Sequence, residues 1–169
     1  MDWNTTSGGA AIEGSGVALQ QLPDPLREAG KKSILLVSPF DEDVRFIRDC
    51  LPDDAPHLDT AENYTRAAGL LQANFFTVVL SERDLPDGGW RDVLNAVELC
   101  RSAPLLIVAS RHADERLWAE VLNLGGFDVL MKPFDFMETT RVLAMACQQW
   151  GSRSYGAMSR GSREHGSGW

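Results

Sequence analysis

Two hydrophobic rhythms alternate along this chain. Short, nearly unbroken apolar runs occur at 33–37, 57–61, 75–80, 104–109 and 127–131, with 57–61 the weakest. Runs of this length bounded by polar or turn residues predict buried strands. Between them, apolar residues recur every three or four positions, the period of an amphipathic helix. The spacing predicts helices over 41–51, with Val44, Ile47 and Leu51 on one face, and over 62–72, built on Ala67, Leu70 and Leu71. A third, over 89–100, turns Val93, Ala96, Val97 and Cys100 inward. A fourth, over 113–124, has the stripe Leu117, Val121, Leu124 and stops at Gly125-Gly126. The last, over 135–150, opens with Asp135 and Glu138 at N-cap and N3 spacing.

Five strand–helix units with continuously apolar strands predict an α/β fold, a parallel sheet covered by helices on both faces. Right-handed crossovers then favour a flavodoxin-like, doubly wound sheet of order 2-1-3-4-5 flanked by five helices. In such sheets the functional crevice lies at the carboxyl ends of the strands, beside the switch between strands 1 and 3. That rule alone nominates Ser38, Pro39, Glu82, Ala109, Ser110 and Lys132.

The flanks differ in character. Residues 1–30 are rich in Gly, Ser, Thr and Gln, include Pro23 and Pro25, and are expected to form a disordered leader. Residues 151–169 hold five Gly and five Ser among Arg153, Arg160 and Arg163, and are expected to form a flexible, mildly basic tail. Residues 31–150 are the expected domain.

Composition narrows the classes. With 169 residues and 44% apolar content, the chain can bury a real core. A net charge of −8 argues against nucleic acid or an anionic membrane as partner. Cys50, Cys100 and Cys147 are odd in number and widely spaced, as expected of reduced thiols in a cytoplasmic protein. There is no secretory leader pattern and no apolar run near the ~20 residues of a membrane span. P-loop, GxGxxG, GxSxG and HExxH motifs are missing, and His57, His112 and His165 are too scattered for zinc.

Two stretches carry the candidate chemistry. Val78-Val79-Leu80-Ser81-Glu82-Arg83-Asp84-Leu85-Pro86-Asp87-Gly88-Gly89 is a buried-strand run ending in a carboxylate, then a Leu-Pro-Asp-Gly turn. Phe127-Asp128-Val129-Leu130-Met131-Lys132-Pro133-Phe134-Asp135 puts a lysine before a proline at the end of another strand. Together they resemble the receiver domain of two-component response regulators, the CheY-like fold. In that family the phosphorylated aspartate stands four residues before the Pro, and a Lys-Pro closes the site. Here the acceptor position carries Glu82, so the resemblance is to an atypical, degenerate receiver.

The resemblance implies further roles. Acids that hold Mg²⁺ should follow the first strand, where this chain has Ser38-Pro39-Phe40. Asp41, Glu42 and Asp43 come next, and their expected role is helix-dipole complementarity and capping; a slipped register would carry one of them toward a metal. The switch hydroxyl falls on Ala109, or on Ser110 if the register is shifted by one. The switch aromatic, three residues before the lysine, falls on Val129. Asp84 is expected to cap its own turn. Lys132 is expected to pair with Glu82, whether as a functional element or only as an ion pair tying strand ends. Lys132-Pro133 is a candidate cis peptide. Trp118 and Leu122 border the helix 4–strand 5–helix 5 face that receivers use for partners, although core packing is the expectation for Trp118.

The resulting expectation is a stand-alone, non-enzymatic receiver without Mg²⁺ or another cofactor. It acts in signal transduction through phosphorylation-independent contact with a sensor kinase, another regulator, or a second copy through helix 4–strand 5–helix 5. Glu82 stands in the acceptor's place. The alternatives are a small-molecule or anion sensor using the altered crevice, a still phosphorylatable Mg²⁺-dependent receiver with shifted register, and function carried by the tails.

Overall fold

The computed structural model describes residues 33–52 and 56–161, the last eight of these as backbone only. The expected leader over 1–30 lies outside the described residues. Strands β1 (Ser33–Val37), β2 (His57–Ala61), β3 (Val78–Glu82), β4 (Leu105–Ser110) and β5 (Asp128–Met131) form one sheet. All its pairings are parallel and its order is 2-1-3-4-5, as the alternation of patterns predicts. Helices α1 (Asp41–Cys50), α2 (Tyr64–Ala73), α3 (Trp90–Glu98), α4 (Glu115–Asn123) and α5 (Phe136–Gly161) complete the units.

Alternation along the strands divides the interior into two cores. Leu35, Val37, Val79, Leu106, Val108 and Val129 face α2, α3 and α4, meeting Ala67, Leu71, Val93, Val97, Leu117 and Val121. Ile34, Leu36, Val78, Leu80, Ile107 and Leu130 face α1 and α5, meeting Ile47, Val142, Leu143, Ala146 and Trp150. β1 and β3 are buried on both faces, which is why they read as unbroken apolar runs.

Several boundaries moved for local reasons. α2 starts at Tyr64 because the Asn63 side chain accepts the Arg66 N–H at 2.8 Å and fixes the cap there. β3 starts at Val78, after Phe75, whose ring packs edge-on to Trp150 at 5.1 Å. α4 ends at Asn123, and Gly125 takes a φ of 99°, the left-handed conformation glycine adopts freely. α5 runs through Gly161, so the tail expected from 151 onward begins as helix, and 162–169 lie outside the described residues. Gly and Ser lower helix propensity without blocking it, and no proline follows Pro133 to stop the helix.

The loop after β3 contains a short hairpin, Asp84–Leu85 against Gly88–Gly89, that periodicity did not foretell. At its tip the Asp87 carboxylate accepts from Tyr64 N (2.7 Å), Thr65 N (2.9 Å) and Thr65 Oγ1 (2.6 Å). It therefore caps α2 from a distant loop, and these donors hold its carboxyl below the usual aspartate range, the Thr65 hydroxyl foremost. Asp84, expected to cap the turn, is exposed and lies 3.6 Å from Arg83 instead.

Gly126 sits where any side chain would collide: a Cβ would stand 2.4 Å from Val121 Cγ1 and 2.9 Å from Val121 O. Gly126→Ala is expected to lower stability by about 1–3 kcal/mol, as overpacking does, read from the urea midpoint at constant slope.

Candidate functional site

Four chain segments deliver side chains to the carboxyl edge of the sheet. Ser38 follows β1, Glu82 ends β3, and Lys132 follows β5; each continues the alternation that points toward α1 and α5. Asp43 comes from the first turn of α1, where it shares the inward stripe with Ile47 and Cys50. The four meet in a closed cluster. Lys132 Nζ donates to Glu82 Oε2 and to Asp43 Oδ2, both at 2.7 Å. Ser38 Oγ donates to the same Asp43 oxygen at 2.5 Å and accepts the Phe40 N–H at 3.2 Å.

All four side chains are out of solvent: Asp43 is 3% exposed, Ser38 5%, Lys132 6% and Glu82 8%. Burial pushes the Glu82 carboxyl above its ordinary 4.5, because desolvation of its anion outweighs the help of Lys132; Asp43 raises it further, and Arg111 lowers it. The Lys132 ammonium also faces two rings, Phe40 at 4.5 Å and Phe134 at 5.5 Å. Arg111 lies over Phe40 at 5.7 Å and pairs with Glu42 at 3.3 Å, closing the cluster from outside. A cleft of about 550 Å³ opens beside it, walled by Glu42, Asp43, Phe46, Arg111, Lys132 and Phe134.

Solved structures of similar shape are response-regulator receiver domains. A signal receiver domain of an HD domain-containing protein from Pseudomonas fluorescens Pf-5 is 25% identical and covers 72% of this chain and 98% of its own, with a TM-score of 0.65. A CheY-like receiver from Methanospirillum hungatei is 18% identical over 73% of this chain and 98% of its own, with a TM-score of 0.64. A beryllofluoride-activated NtrC4 receiver domain, solved as a dimer, is 19% identical over 70% of this chain and 98% of its own, also with a TM-score of 0.64. The fold is that of a response-regulator receiver. No protein-family model and no curated protein matches the chain.

Within this receiver fold the expected residues sort clearly. Glu82 and Lys132 meet as expected, and the Lys132-Pro133 peptide is cis. Pro39 is exposed, and its side chain has no polar atom to offer the buried charges. Ala109 pairs with Glu82 across the sheet, buried on the same face, and has no hydroxyl to offer. Ser110 is one residue on, and alternation turns it to the opposite face, where its Oγ accepts the His112 N–H at 3.1 Å. The Ser110 hydroxyl is thus turned away from the face that carries Glu82. Val129 is buried in the core facing α4.

Two assignments needed correction. Asp41 and Glu42 are exposed on the first turn of α1, as a dipole role requires, but Asp43 is a buried partner of Lys132. The signal was present: Asp43, Ile47 and Cys50 follow the i, i+4, i+7 spacing of an inward stripe. Trp118 is 51% exposed, its Nε1–H donating to Asp128 Oδ1 at 3.2 Å, and so is not a core residue. It lies one position off the true stripe of Leu117 and Val121, and Leu124 is itself exposed.

The raised Glu82 carboxyl has a definite sign in stability. The folded state holds this proton more tightly than the unfolded state, so folding stability falls as pH rises from about 4.5, and the loss is complete above the folded-state value. Glu82→Gln is expected to flatten this decline in urea titrations between acid and neutral pH. A mutant curve parallel to the wild type would show that Glu82 is not the group responsible.

Proposed function

We propose that this chain is a receiver-type signalling module that works without aspartyl phosphorylation, by contact with proteins such as a sensor kinase, another regulator or a second copy. The observation that carries this reading is the engagement of Glu82. The carboxylate at the acceptor position is held at 2.7 Å by a buried ammonium that Asp43 shares. A nucleophile must be free and aligned, and displacement of about an ångström is costly to transfer chemistry. A phosphorylatable version with shifted register would need Asp41 or Glu42 swung toward Glu82. Both are exposed, and Glu42 is paired with Arg111. Ala109 and Val129 supply neither the hydroxyl nor the ring of a phosphorylation-driven latch. The reading assigns no catalysis to the site and places the protein in the cytoplasm. No described helix is long and apolar enough to cross a membrane.

The α4–β5–α5 face is the proposed contact surface. Trp118 from α4 and Met131 at the end of β5 are exposed there, beside Glu138 and Arg141 of α5. A tethered indole offers a rigid anchor, and methionines adapt to varied partners. The NtrC4 receiver dimer is one precedent for a copy as partner. An anion sensor is disfavoured, because an anion in the cleft would meet Glu42 and Asp43 beside Arg111, and Lys132 is already shared by two carboxylates.

Incubation with Mg²⁺ and acetyl phosphate, read by intact mass beside Glu82→Ala, is expected to show no phosphoryl gain in either protein. A gain in the wild type that the substitution abolishes would sink the reading. Trp118→Ala combined with Met131→Ala is expected to weaken partner binding by about tenfold or more, the usual consequence of losing an interface anchor. Sedimentation would check this for a second copy, and titration with a purified sensor kinase for a heterologous partner.

A further inference from the structure

The receiver fold implies a magnesium ion held by the acceptor carboxylate and by acids that follow the first strand. The residues of this chain do not fit it. Pro39 offers no side-chain donor, and the Ser38 hydroxyl is committed to Asp43 at 2.5 Å. The two carboxylates that do converge, Asp43 and Glu82, converge on a charge already present. Each places an oxygen 2.7 Å from Lys132 Nζ. A divalent ion bridging those two oxygens would need the space that the ammonium fills, and two cations cannot share it.

We propose that Lys132 is the resident cation of this site, its ammonium filling the divalent-ion position permanently, with Asp43 of α1 supplying the second carboxylate. The surroundings suit an ammonium rather than a hydrated metal. Phe40 and Phe134 present ring faces to Nζ at 4.5 and 5.5 Å, an arrangement that favours a compact cation stripped of water. Magnesium dehydrates reluctantly and usually keeps several waters, which these rings would displace. Arg111, over the Phe40 ring at 5.7 Å and lining the same cleft as Lys132, adds positive charge that opposes entry of a second cation. Without the ammonium, two buried carboxylates and a hydroxyl would converge on a hollow, a donor set of hard oxygens suited to Mg²⁺ or Mn²⁺.

This inference deepens the proposed function and rests on the same Glu82–Lys132 contact, since a site with its own cation holds one state whatever the magnesium level. The test is thermal unfolding of the full chain in chelator and in millimolar Mg²⁺ or Mn²⁺. The proteins are the wild type, Lys132→Met, and Lys132→Met combined with Glu82→Gln. The wild-type midpoint is expected not to move. Lys132→Met is expected to melt lower in chelator and to recover saturably with either ion, and the double variant to lose that recovery. If Lys132→Met stays unfolded in both ions, or folds but does not respond, the hollow is not a cation site and the proposal fails. It also fails if the response survives Glu82→Gln, or if the wild type itself shows a saturable shift. A phosphoryl gain in the wild type would overturn the functional reading, whereas a wild-type metal shift without such a gain would overturn only the resident cation.

Discussion

The ammonium of Lys132, buried between Asp43 and Glu82, ties together three elements that would otherwise end independently at the sheet's carboxyl edge: α1, β3 and β5. Burial makes the arrangement demanding. Removing charges from water costs several kcal/mol per ion, and the attraction offsets this only with close geometry and satisfied lone pairs. Both contacts at 2.7 Å, the Ser38 hydroxyl on Asp43 and the ring faces around Nζ meet that requirement. With both carboxylates ionised the cluster would carry one negative charge in excess. Burial drives the upward push on Glu82, and the charge of Asp43 adds a smaller part to it.

The cluster is embedded in a frame that holds its loops in place. Outside it, Arg111 and Glu42 join the loop after β4 to α1, and both Arg111 and Lys132 lie against the Phe40 ring. The loop after β3, which follows Glu82 directly, is closed into a hairpin and anchored through Asp87 to the start of α2. Arg83 N also bonds Ala109 O at 2.8 Å, carrying the β3–β4 ladder past Glu82. The acceptor position thus sits on backbone restrained from both sides. Such restraint suits a fixed arrangement of charge better than a transient one.

Seen this way, the departures from the receiver pattern are consistent with one another. A glutamate in the acceptor's place, held by Lys132, an alanine where a hydroxyl would latch, and a valine where a ring would swing would each remove a moving part. What remains on display is the exposed Trp118 indole of α4 and Met131, the last residue of β5, next to Lys132.

Much of this was legible in the chain. Unbroken apolar runs are what strands buried on both faces must look like, and their alternation with helical periods leaves little choice of topology. Period-two alternation counted from Leu80 and Leu130 already aims Glu82 and Lys132 at one face, so their pairing could be expected without coordinates. Asp43 could not be separated from Asp41 and Glu42 by residue type, because three consecutive acids at a helix start satisfy the dipole equally well. Spacing to Ile47 and Cys50 favours Asp43, but a neighbouring stripe through Val44, Ile47 and Leu51 reads as well, and the rotation of α1 against the sheet decides between them. Likewise Asp87 caps a helix more than twenty residues away, and Trp118 falls just outside the buried stripe. Local sequence determined the elements and the faces of the strands. Helix rotation and loop-to-helix bonds depend on contacts between segments distant in the chain, so only the tertiary structure decided which charges meet and which surface stays exposed.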